Sequence, residues 1–202
     1  MKYYSSGFFE INNHKVYISR TGFTGELGFE IYTLESEKKH CDLWDYIMDH
    51  GKSFGLEFSS CRSITIRRIE AGILGNLTDM DRTMTPYEAG LGKFVNLDKS
   101  NFVGKKALMN VDKKPLLMGF TCSEAIPSAG SLIMENNKPV GMITSGVNSP
   151  TLKCGVGYVR FTKPADWVGK KLTIKLKDGN ESIGKVVELP FFDSDKKLVK
   201  GK

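Results

Sequence analysis

The residues best placed to do chemistry lie in one stretch, Arg20-Thr21-Gly22-Phe23-Thr24-Gly25-Glu26-Leu27-Gly28-Phe29-Glu30-Ile31-Tyr32. Three glycines, Gly22, Gly25 and Gly28, fall within seven residues. Glycine is the usual residue where the backbone takes a positive φ or where another group must come close. The stretch ends in an alternating run. Alternation puts Glu30 and Tyr32 on one strand face, and Phe29 and Ile31 on the other. A carboxylate and a phenol on one face, beside a glycine turn, suit a flat polar heterocycle. The same pattern also fits a plain hairpin with one solvated face.

Several elements must position that stretch. Phe8 to Ile11 and Lys15 to Ser19 read as strands around a turn at Asn12-Asn13. With Phe29 to Thr33 they make a small sheet. Ser36 reads as a helix cap, with Glu37 in the first turn. Cys41, Trp44, Ile47 and Met48 follow at helical spacing, which predicts a buried face, and Gly51 suits the helix end. A second helix is predicted from Arg62 to Ala71, with Ile66, Ile69 and Ile73 as its apolar side. Arg67 and Arg68 are adjacent and point different ways, and Glu70 is only two residues from Arg68, too close for a pair with it along that helix, so each looks outward from the helix for partners. Asn76 to Pro86 reads as a loop. Thr85 and Pro86 suit the start of a short helix, where Glu88 either satisfies backbone donors or braces Arg68. Phe102 to Leu108 suggests another short helix.

From Leu116 the pattern changes to six short strands: Leu116 to Thr121, Ser131 to Met134, Pro139 to Thr144, Gly155 to Val159, Lys171 to Leu176 and Ile183 to Leu189. Asn136-Asn137, Asn148-Ser149-Pro150 and Asp178-Gly179-Asn180 supply turns. Such spacing predicts a small β-barrel or sandwich. The fold class expected is α+β, with an α/β portion over residues 1–112 and a small β-barrel over residues 113–202. Lys113-Lys114-Pro115 acts as the linker.

Composition sets outer bounds. The 202 residues are 40% hydrophobic and 26% charged, which suits a globular chain. No apolar run approaches the ~20 residues that span a bilayer, and the N-terminus lacks the apolar stretch of a signal peptide. A cytoplasmic chain without membrane partners is expected. Cys41, Cys61, Cys122 and Cys154 are widely spaced and the three histidines show no zinc spacing. Reduced, mostly packed thiols and no metal site are expected. The net charge of +6 gathers in lysine pairs such as Lys105-Lys106 and Lys170-Lys171. A positive field favours anionic ligands, but no nucleic-acid motif accompanies it.

The opening stretch resembles the R-T-G-Y-T-G-E-x-G-F-E signature of the glycine-cleavage T-protein (aminomethyltransferase) family. Four more motifs follow in that family's order. Arg68-Ile69-Glu70-Ala71-Gly72 is similar to R-L-E-A-G. Thr85-Pro86-Tyr87-Glu88-Ala89-Gly90-Leu91-Gly92 is similar to T-P-x-E-A-G-L-G. Asn101-Phe102-Val103-Gly104-Lys105-Lys106-Ala107-Leu108 resembles D-F-I-G-R-E-A-L. Gly141 to Gly146 with Ser149-Pro150-Thr151-Leu152 resembles G-x-V-T-S-G and S-P-T-L.

The resemblance implies part of a folate-binding domain followed by the family's C-terminal barrel, and one-carbon transfer to tetrahydrofolate. It assigns Glu30 to the pterin ring, with Tyr32, Phe23 and Arg68 as further cofactor-binding candidates. Glu26, nearer the turn, is expected to be solvated. No residue here takes the role of the family's catalytic aspartate, which lies in an N-terminal portion of over a hundred residues. The chain therefore resembles the C-terminal half of a T-protein and is expected to work with an N-terminal half. The expected donor is a small methylated or aminomethyl compound, including one borne on a lipoyl carrier protein.

Two departures bear on the substrate. Phe23 replaces a common tyrosine and loses its hydroxyl. Ile64 and Thr65 stand where A-R-D places Arg and Asp, and Ile66-Arg67-Arg68-Ile69-Glu70-Ala71-Gly72-Ile73-Leu74 is closer to tetrahydrofolate-dependent demethylases, such as those acting on dimethylsulfoniopropionate. A demethylase and a non-catalytic folate-binding module are the alternatives. The folate-binding proteins linked to iron–sulfur assembly carry K-G-C-Y-x-G-Q-E, which is absent.

Overall fold

The computed structural model describes residues 1–34 and 40–201. The helix cap predicted at Ser36 and Glu37 lies outside those residues. The chain divides into two compact units, Met1–Arg68 with Asp195–Lys202, and Ile69–Ser194.

The first unit holds a three-stranded antiparallel sheet, in the order β1 (Ser6–Ile11), β2 (His14–Ser19), β3 (Glu30–Thr33). Asn12 and Asn13 both take positive φ, 47° and 62°, the geometry of a two-residue hairpin turn. Helix α1 (His40–Gly51) follows, and Thr33 and His40 share a hydrogen bond of 2.9 Å. The helix does not stop at Gly51. It tightens into a 3-10 turn, Lys52–Phe54, closed by left-handed Gly55.

The buried face of α1 also differs from the spacing argument. Leu43 is its buried residue, whereas Cys41 is exposed and Trp44 half-exposed, edge-on to Phe58 at 5.9 Å. An i, i+3, i+6, i+7 set drifts around a 3.6-residue turn, and the covered stripe runs through Leu43 instead. Helix α2 (Cys61–Glu70) matches the predicted span, with Ile69 fully buried.

The second unit is dominated by a closed antiparallel barrel. Its strands are β4 (Leu117–Cys122), β5 (Leu132–Glu135), β6 (Lys138–Ser149), β7 (Cys154–Phe161), β8 (Lys171–Lys175) and β9 (Glu181–Val187), in the order β4-β7-β6-β5-β8-β9. Phe120, Ile133, Ile143, Val159, Phe161, Ile174 and Val186 fill its core. Short helix α3 (Lys105–Met109) precedes the barrel, and one turn, α4 (Lys197–Lys200), follows in the first unit.

Strand β6 runs beyond its predicted end at Thr144. A bulge between Ile143 and Ser145 lets pairing with β7 continue to Ser149, and turns Thr144 toward Asp79. Gly146 is required there: a Cβ would come within 1.7 Å of the Pro127 carbonyl oxygen.

Most of the sequence motifs serve this unit. Glu70 is fully buried. Its partners lie off the helix, as expected, but as a buried clasp rather than a surface ion pair: its carboxylate accepts from the Ser149 hydroxyl at 2.5 Å, the Thr151 N–H at 3.2 Å and the Thr151 hydroxyl at 3.0 Å. The two motifs are thus halves of one hydrogen-bonded clasp. Thr85 and Glu88 form a reciprocal capping box. Thr85 N–H donates to the Glu88 carboxylate at 2.7 Å, and Glu88 N–H to the Thr85 hydroxyl at 3.2 Å. Of the two roles open to Glu88, the backbone one is seen, around a turn rather than a continued helix. Asp79 orders the intervening loop by accepting from Gly75 N–H and the Thr144 hydroxyl.

The four thiols are free. Cys41 and Cys61 are exposed, against the expectation of mostly packed thiols, because they lie on the uncovered sides of their helices. Burial pushes the Cys154 thiol pKa up, with a smaller contribution from Cys122. No helix among the described residues is long and apolar enough to cross a membrane.

Candidate functional site

The hairpin register builds the site. Ser6 pairs Ser19, which pairs Glu30. Phe8 pairs Tyr17, which pairs Tyr32. Two rows therefore cross all three strands on one face, one polar and one aromatic. The Phe8 and Tyr17 rings meet edge-on with centroids 5.0 Å apart, and Tyr17 and Tyr32 are 6.3 Å apart. The Tyr17 and Ser6 hydroxyls share a hydrogen bond of 2.6 Å.

Glu30 opens β3 and is half-buried. Its carboxylate accepts a hydrogen bond from the Thr21 hydroxyl, which in turn lies 2.9 Å from that of Ser19. The negative charge of Glu30 raises the Tyr32 pKa, helped by desolvation and by a side-chain hydrogen bond between the two. The phenol thus stays protonated and able to donate. A carboxylate offers roughly four acceptor positions, so Glu30 keeps capacity for neighbouring N–H donors of a bound ring.

The glycine stretch forms the loop between β2 and β3. Gly25 alone of its three glycines needs a positive φ, 75°, and a Cβ on Gly22 would meet nothing within 4 Å among the described residues. Glu26 is not simply solvated, because it forms an ion pair with Arg67 of α2. Arg20 leans over the Phe29 ring at 6.0 Å and donates to the Met1 carbonyl, while its buried Nε has no acceptor among the described residues.

Of the four residues that the sequence nominates, the sheet brings Glu30 and Tyr32 together. Phe23 lies on the loop, 44% exposed, and Arg68 is buried in the last turn of α2. Tyr17, Phe8, Thr21 and Ser19 were not nominated. Their signal was present in the alternation of β2 and in the two-residue turn, which together set the register. Among the described residues no group of three or more His, Cys, Asp or Glu could hold a metal ion.

The fold and this face define a mixed α/β chain that ends in a closed six-stranded barrel and displays a carboxylate beside an aromatic row. Residues 1–99 match the family model of the GCVT N-terminal domain, and residues 116–193 that of the glycine cleavage T-protein C-terminal barrel domain. The chain belongs to the glycine cleavage T-protein family.

It is 38% identical to an aminomethyltransferase of Halothermothrix orenii over 95% of this chain and 54% of the relative. An aminomethyltransferase of Alkaliphilus oremlandii is 38% identical over 83% of this chain and 46% of the relative. The crystal structure of glycine cleavage system aminomethyltransferase T from Bartonella henselae superposes with a TM-score of 0.76 at 26% identity, covering 92% of this chain and 52% of that one. The chain thus spans about half the length of the proteins it matches.

Proposed function

We propose that this chain corresponds to the C-terminal half of the unit that transfers an aminomethyl group to tetrahydrofolate, its folate-binding part being residues 1–112 and its barrel 113–202. The observation that carries this reading is the shared face of Glu30 and Tyr32. Glu30 accepts from adjacent N–H groups of the pterin, two at once, and so fixes the ring's orientation. Tyr32 lies beside it, and the aromatic row offers exposed ring surface to conjugated rings. Phe23 covers the loop side without a polar contact, and Arg68 braces the loop from α2.

Tetrahydrofolate, when bound, supplies the nitrogen that accepts the one-carbon unit. The chain's residues hold that ring at a fixed angle, and orientation of this kind contributes several kcal/mol to such displacements. The partners on this reading are folate and an aminomethyl donor such as a lipoyl carrier protein. The location is cytoplasmic. A second reading, demethylation of a small methylated compound, rests on Ile64 and Thr65 in α2.

Calorimetric titration with tetrahydrofolate tests the proposal, with Glu30→Gln alongside. Binding that the variant weakens about tenfold, roughly 1.4 kcal/mol, is expected. Equal affinity of the two proteins overturns the assignment of Glu30. Turnover assays with an N-terminal half added, offering aminomethyl and methyl donors in parallel, separate the two substrate readings. Binding without turnover of either donor leaves a folate-binding module.

A further inference from the structure

We infer that Thr21 is a positioning residue for Glu30: its hydroxyl, itself held by Ser19, fixes the orientation of the carboxylate that receives the ligand ring. The inference rests on the folate reading above and adds which neighbours prepare that carboxylate.

Proton counting gives the relay its direction. A threonine hydroxyl has one proton to donate, and a carboxylate offers acceptors only. Thr21 Oγ1 gives its proton to Glu30 Oε2. Ser19 Oγ lies 2.9 Å from Thr21 Oγ1. With the Thr21 proton already engaged, Ser19 must be the donor of that pair. The order is therefore Ser19 to Thr21 to Glu30. Donation into the Thr21 oxygen polarises its O–H bond and strengthens its hold on the carboxylate.

The fold assembles this relay from the two ends of one loop. Ser19 closes β2, Glu30 opens β3, and the two are cross-strand partners. Thr21 stands just past the end of β2, where its side chain no longer follows the alternation of the sheet. It reaches back across a separation of nine residues to the carboxylate.

Glu30 needs such a holder. The last torsion of a glutamate side chain, between an sp³ and an sp² carbon, is broad. Half-burial at the start of β3 does not by itself fix it. A carboxylate free to rotate presents its acceptors in many planes, and hydrogen bonds weaken steeply off line. Pinned at Oε2, it presents them in one. Its other oxygen and the second lone pair of Oε2 stay open to Tyr32 and to N–H donors of a ring. Loss of the holder is thus a loss of ligand orientation without loss of the ligand's own contacts.

The test compares Thr21→Val, which keeps the shape and removes the hydroxyl, with Thr21→Ser, which keeps the hydroxyl. Calorimetric titration with tetrahydrofolate should show binding about fivefold weaker for the valine variant and close to the unaltered chain for the serine variant. Unchanged affinity in Thr21→Val, or serine no better than valine, overturns the inference. The second arm needs no ligand. Nuclear magnetic resonance couplings along the Glu30 side chain should report one rotamer in the unaltered chain and in Thr21→Ser, and rotamer averaging in Thr21→Val. A threonine that merely anchors the loop leaves Glu30 in one rotamer in all three, and that result also overturns the inference. Should Thr21→Val fail to fold, Ser19→Ala removes the donor behind Thr21 and should loosen Glu30 in the same couplings; a Glu30 as ordered as before overturns the relay. The folate reading fails separately: if none of the proteins binds tetrahydrofolate, that reading is lost and the Glu30 couplings alone decide the role of Thr21.

Discussion

Glu30 and Tyr32 stand two residues apart on one face of β3, and the Glu30 carboxylate raises the pKa of the Tyr32 phenol. The pair is an acceptor with its own adjacent donor. It belongs to the first unit, whereas most of the other sequence motifs proved to be devices that hold the second unit together. The position of a motif in a family signature therefore says little about its chemistry until its partners are known.

The phenol gives a direct readout. Its pKa lies above the ordinary 10.0 because of the Glu30 charge first, then desolvation. A raised pKa means that the neutral form is favoured in the folded state. Its contribution is present below pH 10 and is lost as pH rises through the higher folded value. Glu30→Gln should move the Tyr32 titration back down, as followed by tyrosine absorbance. An unchanged titration would show that the carboxylate does not face the phenol.

Glu70→Ala should destabilise the barrel unit by about 3 kcal/mol, because it removes a buried carboxylate and strands the buried Ser149 hydroxyl along with the Thr151 donors. Glu70→Gln, which keeps the shape and part of the hydrogen bonding, should cost less. Urea denaturation followed by barrel circular dichroism compares the two. A loss below about 1 kcal/mol for the alanine variant would remove the clasp.

Thr85→Ala should cost about 1 kcal/mol through loss of the capping box. The double variant with Glu88→Ala should cost little more than either single change, since both break the same motif. Full additivity in thermal melts would show that the two residues act separately.

Gly25→Ala should strain the loop by about 1 kcal/mol because of its positive φ, while Gly22→Ala should leave stability unchanged. Tetrahydrofolate titration of the Gly22 variant adds a functional check. If a ligand approaches the open side of that glycine, affinity falls without any change in melting temperature.

Local rules accounted for much of this protein in advance. The Asn12-Asn13 and Asn136-Asn137 turns, all four residues at positive φ, followed from side chains that tolerate that backbone. Alternation placed Glu30 and Tyr32 together, and the barrel strands followed from short apolar runs between turns. What covers a helix face was not legible: Leu43, rather than Cys41 or Trp44, is buried in α1, because periodicity names a stripe without naming its neighbour.

Contacts distant in sequence belonged to the tertiary structure alone. Glu70 meets Ser149 and Thr151 across separations of 79 and 81 residues, and Glu26 meets Arg67 of α2 past β3 and α1. Register across β2 brought Phe8 and Tyr17 to Tyr32. The sequence by itself determined which residues share a face and where the chain turns, since those depend on one residue and its nearest neighbours. Only the folded topology decided which carboxylate is a structural clasp and which lies open on a sheet, because burial and hydrogen-bond partners depend on segments far apart in the chain.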